Sequence, residues 1–151
     1  MNTKNAKEVA MELSAEMYAK DIIDPLKDRG FKKAKLTWYR SDNDITILLN
    51  IQKSQYSKEI WYYNLGFGIN QLHEKAIHSI NACDIIYRLD QRVNGKWVSG
   101  ERLIAIFDKW IEKYGSLEEL RTHAIEGTLP GVIGKDTMAF LTTVVFSSKR
   151  S

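Results

Sequence analysis

Apolar and polar side chains alternate along residues 45–69, which is typical of β-strands with one buried face. The odd-numbered positions are apolar in both halves of the stretch: Ile45, Ile47, Leu49 and Ile51, then Trp61, Tyr63, Leu65, Phe67 and Ile69. If "QYSKE" is a hairpin loop, Leu49 faces Leu65, and a slip of one residue would destroy that match. The sequence therefore predicts a hairpin with one apolar face.

The even-numbered positions of the same hairpin are polar or glycine, except for Leu48. The predicted register forms these pairs on the second face: Asn50 with Asn64, Gln52 with Tyr62, Thr46 with Gly68, and Leu48 with Gly66. Glycine within a strand often marks a place where a ligand or another backbone comes close. The amides and glycines thus predict that this face of the hairpin differs from the usual solvent-exposed face of a β-strand.

A preceding strand is predicted over "KLTWYR", with Trp38 and Arg40 on the apolar face and Thr37 and Tyr39 on the other. The turn-forming "SDND" follows and would place Tyr39 opposite Thr46. A fourth strand is predicted at 83–93, and the "NG" dipeptide after it predicts a hairpin into "KWV".

Helical periodicity flanks these strands on both sides. Residues 6–29 favour a helix with a kink or restart at Pro25, closed by Gly30. An apolar stripe predicts a helix over 101–114. Ser116 begins a capping box for a further helix, which Gly127 ends.

The tail "TMAFLTTVVFSS" has two interpretations. Asp136 could cap a helix, whereas "TTVVF" prefers a strand; we favour the helix. The whole chain, 1–151, is predicted to be one α+β domain: an N-terminal helix, a central antiparallel sheet of about four to five strands, and C-terminal helices packed on one side of it.

Composition narrows the class of protein. The 44% hydrophobic and 27% charged residues are ordinary for a globular domain, and the longest apolar run is far below the roughly 20 residues that span a bilayer. One cysteine and no visible secretory signal lead us to expect a cytoplasmic protein without a membrane partner. The net charge of +3 is spread thinly, so nucleic acid is not an expected partner.

Motifs for bound groups are weak. His73, His78 and Cys83 are spaced too widely for a zinc motif, and "GVIGKD" fails the phosphate-loop pattern at Leu129 and Asp136. We therefore expect no metal and no cofactor. Catalytic residues stay unknown, because the groups of an active site converge in space and no such arrangement can be recognised along the chain.

The polar face of the strands is the candidate binding surface. We expect these residues to contact a ligand or partner: Tyr39, Asn50, Gln52, Tyr62, Asn64 and Arg88. Lys53, Arg40 and Arg88 are candidates for added anionic preference, or, more simply, for charge that protects a sheet edge. The simpler interpretation is a solvated sheet surface, although such surfaces usually carry Lys, Glu and Thr rather than amides beside tyrosines.

Several short segments together resemble a known bacterial family: "PLKDRGFKKAKLTWYR", "LLNIQKS", "YNLGFGI", and a Cys followed by "YRLD". The chain is similar to domain of unknown function 4304 over about residues 10–125, which leaves 126–151 as a C-terminal extension. Cys83 and Arg88 occupy positions where that family often has Cys and Arg. The resemblance implies an α+β fold and a bacterial cytoplasmic protein, but no reaction or cofactor.

We expect a non-enzymatic interaction domain with a protein or peptide partner. By analogy with other small bacterial domains, it is a candidate immunity-type toxin inhibitor. The alternative is a small polar-ligand-binding domain, or an unrecognised enzyme with a pocket at the polar face or beneath the first helix. Oligomeric state is not predicted.

Overall fold

The computed structural model describes residues 21–53, 61–89, 92–93, 96–97, 100–131 and 133–143. The elements follow in this order: α1 (21–28), β1 (Lys32–Ala34), β2 (Thr37–Ser41), β3 (Ile45–Lys53), β4 (Trp61–Ile69), β5 (Ile85–Leu89), β6 (Arg92–Val93), β7 (Lys96–Trp97), α2 (Gly100–Tyr114), α3 (Leu117–Glu126) and α4 (Lys135–Thr143). Strands β1 to β5 form one antiparallel sheet in chain order, and β6 pairs with β7. The predicted α+β fold is confirmed.

The hairpin of β3 and β4 has the predicted register. Leu49 lies opposite Leu65 and Ile47 opposite Phe67, while Asn50 faces Asn64. Alternation therefore assigns the apolar side chains to one face, the inner face, and the amides and glycines to the other, the outer face. The loop "QYSKE" itself lies outside the described residues.

The predicted pairing of β2 with β3 is wrong by two residues. Tyr39 lies opposite Leu48, and Ser41, rather than Tyr39, lies opposite Thr46. The cause is Asp42, whose carboxylate accepts hydrogen bonds from the backbone N–H groups of Asp44 (2.7 Å) and Ile45 (2.8 Å). The Asp42 side chain closes a tighter turn than "SDND" alone suggests. Because the pairing shifts by two residues, every side chain stays on its predicted face.

A short edge strand was not predicted. β1 pairs with β2 through Lys32 opposite Tyr39 and Ala34 opposite Thr37. Its three side chains are all exposed, so no apolar alternation marks it in the sequence. Lys35, in the left-handed conformation at φ 57°, turns the chain back into β2.

The inner face of the sheet packs against the helices. Phe31, which follows α1, meets Phe107 of α2 edge-on at 5.3 Å between ring centroids, and Phe67 of β4 meets Tyr114 at 6.3 Å. α3 and α4 contribute Leu120 and Leu141 to the same buried cluster. The helices thus cover one side of the sheet, as predicted.

The ends of α1 and α3 follow the predicted signals. α1 runs through Pro25 to residue 28, and Gly30 follows it with φ 87°. The predicted kink depends on residues before 21, which lie outside the described part of the chain. Ser116 Oγ accepts a hydrogen bond from the Glu119 backbone N–H at 3.1 Å, and Gly127 ends α3 at φ 72°. The predicted start and end of α3 are confirmed, with Ser116 supplying the N-cap bond of the predicted capping box.

The strand predicted over 83–93 is divided in two. β5 ends at Leu89, and β6 begins at Arg92 in a separate ladder where Val93 pairs with Lys96. The local hairpin after β5 forms as predicted, although "NG" lies outside the described residues. Residues 90 and 91, between the two strands, lie outside the described part of the chain.

The C-terminal tail is helical over Lys135–Thr143, as favoured, and residues 144–148 lie outside the described part. Asp136 lies inside the first turn rather than at the cap, because Gly134 O already accepts from the Met138 N–H at 3.1 Å. No helix within the described ranges is long and apolar enough to cross a bilayer.

Candidate functional site

Four polar side chains form a straight line across the outer face. Thr37, Asn50, Asn64 and Arg88 are direct cross-strand partners on β2, β3, β4 and β5. We call these four residues the polar row. Side chains paired in this way have Cβ atoms about 5 Å apart, which is within reach of hydrogen bonding.

Asn64 is the centre of the row. It is 3% exposed, and its Nδ2 donates to Asn50 Oδ1 at 3.2 Å and to Gln52 Oε1 at 2.8 Å. Asn50 Nδ2 then donates to Thr37 Oγ1 at 2.9 Å. A buried carboxamide without partners would be costly, and these bonds satisfy it while fixing its neighbours.

Arg88 determines the direction of these hydrogen bonds. Its Nε donates a long hydrogen bond, 3.4 Å, to Asn64 Oδ1. A guanidinium can only donate, so the Asn64 oxygen must face it and the Asn64 amide hydrogens must face Asn50 and Gln52. The guanidinium carbon also lies 3.8 Å from the ring centroid of Tyr62, a cation–π contact that holds the exposed arginine.

The other half of the outer face is covered by the connection between β4 and β5, residues 70–84, which we call the β4–β5 connection. A Cβ atom on Gly68 would lie 2.3 Å from Ile77 Cδ1, and one on Gly66 would lie 2.6 Å from Cys83 Sγ and 2.7 Å from Ile80 Cδ1. The two glycines therefore admit this chain's own side chains. The predicted close approach is real, but its occupant is internal.

Hydrogen bonds hold the β4–β5 connection to the sheet. Asp84 accepts from the Ile69 backbone N–H at 2.7 Å, and His73 Nε2 lies 2.9 and 3.0 Å from the two Asp84 carboxylate oxygens. At the other end Asn70 Oδ1 accepts from the buried Thr46 hydroxyl at 2.8 Å. These contacts fasten the segment beside the polar row.

Two cationic or aromatic candidates are placed differently from the rest. Tyr39 is on the outer face, but its ring lies 4.5 Å from that of His78 in the β4–β5 connection, so it borders the covered half. Arg40 donates to Arg29 O at 2.8 Å and lies over the Phe31 ring, beside α1. The proposal that Arg40 adds anionic preference to the polar face is therefore wrong.

Cys83 is poorly suited to act as a nucleophile. Burial, reinforced by the negative charge of Asp84, raises the pKa of its thiol to about 12. The reactive thiolate is consequently scarce near neutral pH. The side chain fills the space above Gly66, which agrees with a packing role.

Surface clefts occur away from the polar row. One of about 630 Å³ lies between α1 and the start of α2, lined by Asp21, Asp28, Arg29 and Glu101 among others, and Arg29 there is engaged by Asp108 at 2.7 Å. Another, of about 620 Å³, lies at the start of α4 beside Asp84. Across the residues the structure describes, no group of three or more His, Cys, Asp or Glu side chains could hold a metal ion.

The structure brings together most of the predicted surface and adds one member. Asn50, Gln52, Tyr62, Asn64 and Arg88 are contiguous, as their hydrogen bonds and ring contact show. Thr37 was not among the candidates. Its parity with Tyr39 was visible in the sequence, but the register error placed it opposite Leu48 rather than Asn50.

The fold and this surface define a small α+β domain with a half-covered antiparallel sheet. A comparison with protein families matches residues 22–130 to the family described as domain of unknown function (DUF4304). The chain belongs to that family. Neither curated proteins nor solved structures gave a match.

Proposed function

We propose that this protein is a non-enzymatic interaction domain whose outer sheet face binds a protein or peptide partner. The observation that supports the proposal most is the hydrogen-bonded polar row, which ends in the exposed Arg88 stacked on Tyr62. Arginine and tyrosine are enriched among the residues that dominate binding energy at interfaces. Side chains already held in place lose little conformational entropy on binding, which favours association.

The openness of the surface favours a partner over a small metabolite. Gln52 and Arg88 are both exposed, and they lie on different strands with buried Asn64 between them. Small-molecule sites usually surround most of the ligand. A row of side chains on one face of a sheet offers contacts along one side only, which suits an extended or folded polypeptide.

The test is photo-crosslinking in cells of the native host. A photoreactive amino acid placed at Gln52 should crosslink a partner, whereas one placed at Ile125, 59% exposed on α3, should not. Arg88→Ala and Tyr62→Ala should abolish the Gln52 crosslink, and Lys109→Ala on α2 should leave it intact. Equal crosslinking from both positions, or insensitivity to Arg88→Ala, would refute the proposal.

An immunity-type toxin inhibitor is the narrower form of this proposal. The net charge of +3 argues against inhibitors that imitate nucleic acid, but not against those that block other toxins. Co-expression with the product of an adjacent gene should then protect the cell, and Arg88→Ala should remove the protection. If the purified protein instead releases a metabolite on denaturation and crosslinks nothing, the alternative of a ligand-binding domain or enzyme replaces it.

A further inference from the structure

Together the polar row and Gln52 offer a ligand more hydrogen-bond donors than acceptors. Each carboxamide oxygen already accepts a bond from within the face: Asn50 Oδ1 and Gln52 Oε1 from Asn64, and Asn64 Oδ1 from Arg88. Gln52 and Arg88 are exposed. The donors left for a ligand are therefore the Gln52 Nε2 hydrogens, the Thr37 hydroxyl hydrogen and the terminal nitrogens of Arg88, whereas each carboxamide oxygen keeps one lone pair.

From this asymmetry we infer that the partner presents an acidic segment to the polar row. Carboxylates only accept hydrogen bonds, and an arginine guanidinium binds them through paired, charge-assisted bonds. A lysine-rich segment would meet the Arg88 charge and would find fewer acceptors than donors on this surface. The inference rests on the proposed function and specifies the chemistry of its partner.

A polypeptide is favoured over a nucleic acid because of where the cations lie. Among the side chains described on β1 to β5, the outer face carries Lys32 and Arg88, on opposite edge strands. Backbone recognition of nucleic acid requires several basic groups along one path. A single arginine flanked by amide donors instead suits one or two carboxylates.

The experiment is a titration of the ¹⁵N-labelled full chain followed through its side-chain amide resonances. The probes are a short peptide of glutamate, serine and glycine, the same peptide with every glutamate replaced by glutamine, and a uridine oligonucleotide. The glutamate peptide should shift the carboxamide signals of Gln52 and Asn64. Arg88→Gln should weaken its binding about tenfold, the loss expected for a charge-assisted contact.

Lys109→Gln removes the same charge from α2 and is the matched control, which should bind within about twofold of the wild type. Equal affinity for the glutamine peptide would overturn the acidic preference while leaving the proposed function standing. A tighter oligonucleotide complex at the same resonances, or no shift of those signals with the glutamate peptide, would also overturn the inference. The crosslinking experiment would then decide the proposed function separately.

Discussion

Asn64 donates to Asn50 across the centre of the outer face, with 3.2 Å between Nδ2 and Oδ1. The two residues are direct partners in the β3–β4 ladder, so the backbone register itself holds their carboxamides together. Because Asn64 is buried and also bonds Gln52, this contact couples the polar row to the stability of the sheet.

The coupling between the two asparagines should be measurable in a double-mutant cycle. Asn64→Ala and Asn50→Ala should each lower the free energy of unfolding by about 1–2 kcal/mol, since the first removes the hydrogen bonds to Asn50, Gln52 and Arg88 and the second removes a partner of the buried Asn64. The double variant should lose less than the sum, with a coupling of about 0.5–1.5 kcal/mol. Urea unfolding measures all three.

The control pairs Asn64→Ala with Thr142→Ala on α4, on the opposite side of the sheet. These two changes should be additive to within about 0.5 kcal/mol. If the two asparagine changes are additive as well, the contact between Asn50 and Asn64 contributes nothing to the free energy of unfolding.

The glycines under the β4–β5 connection should differ in their tolerance of alanine. A Cβ on Gly66 would lie 2.6 Å from Cys83 Sγ and 3.1 Å from Cys83 Cβ. The Cys83 side chain is short and has little room to move. On Gly68 the closest atom is Cδ1 at the far end of Ile77. We therefore expect Gly66→Ala to be more damaging than Gly68→Ala. Thermal unfolding should show that Gly66→Ala lowers the free energy of unfolding by about 1–3 kcal/mol relative to wild type.

A compensating change identifies the Gly68 contact. Ile77→Val removes Cδ1, so Gly68→Ala should be better tolerated in the Ile77→Val background than alone. If Gly68→Ala costs more than Gly66→Ala, or if Ile77→Val gives no relief, the connection does not cover the glycines in the way described.

Cys83 should be unreactive in the folded protein. Its pKa is raised from 9.0 to about 12, so at pH 8 alkylation by iodoacetamide should be much slower than in urea. Alkylation at the same rate in both conditions would place the thiol outside the contact with Gly66.

The same shift of the Cys83 pKa predicts a stability change in alkali. Well below pH 9 the thiol is neutral in both states and adds no pH dependence. Between about pH 9 and 12 the unfolded chain loses the proton first, so stability should fall as the pH rises, by less than about 1.4 kcal/mol per pH unit. Comparing urea unfolding of the wild type and Cys83→Ala across this range isolates the effect, since the variant should lack that part of the decline.

Strong alternation explains what the sequence could predict. In β3 and β4 the apolar positions match in one register only, so the placement of Asn50 opposite Asn64 followed directly. The capping of α3 was equally local, because Ser116 and Glu119 lie within one turn. Where a pattern is repeated, or where its contacts are short-range, the structure can be predicted from the residues alone.

Long-range and side-chain contacts account for the rest. The pairing of Tyr39 depended on which backbone groups the Asp42 carboxylate would bond, and β1 has no apolar residue to reveal it beyond Ala34. The β4–β5 connection carries no periodic pattern, so nothing in the sequence showed that Ile77 would lie over Gly68. Gly66 and Gly68 indicated that some group lies close to the strand, but they did not indicate which group.

The behaviour of the Asn64 side-chain amide in the free protein shows most directly whether the binding surface is assembled in advance. If the polar row is assembled before any partner binds, its Nδ2 hydrogens should exchange slowly with water and show NOEs to the side chains of Asn50 and Gln52. Asn43, exposed in the β2–β3 turn, provides the internal reference for a free carboxamide. Exchange of the Asn64 hydrogens as fast as those of Asn43, with no such NOEs, would contradict a preassembled binding surface.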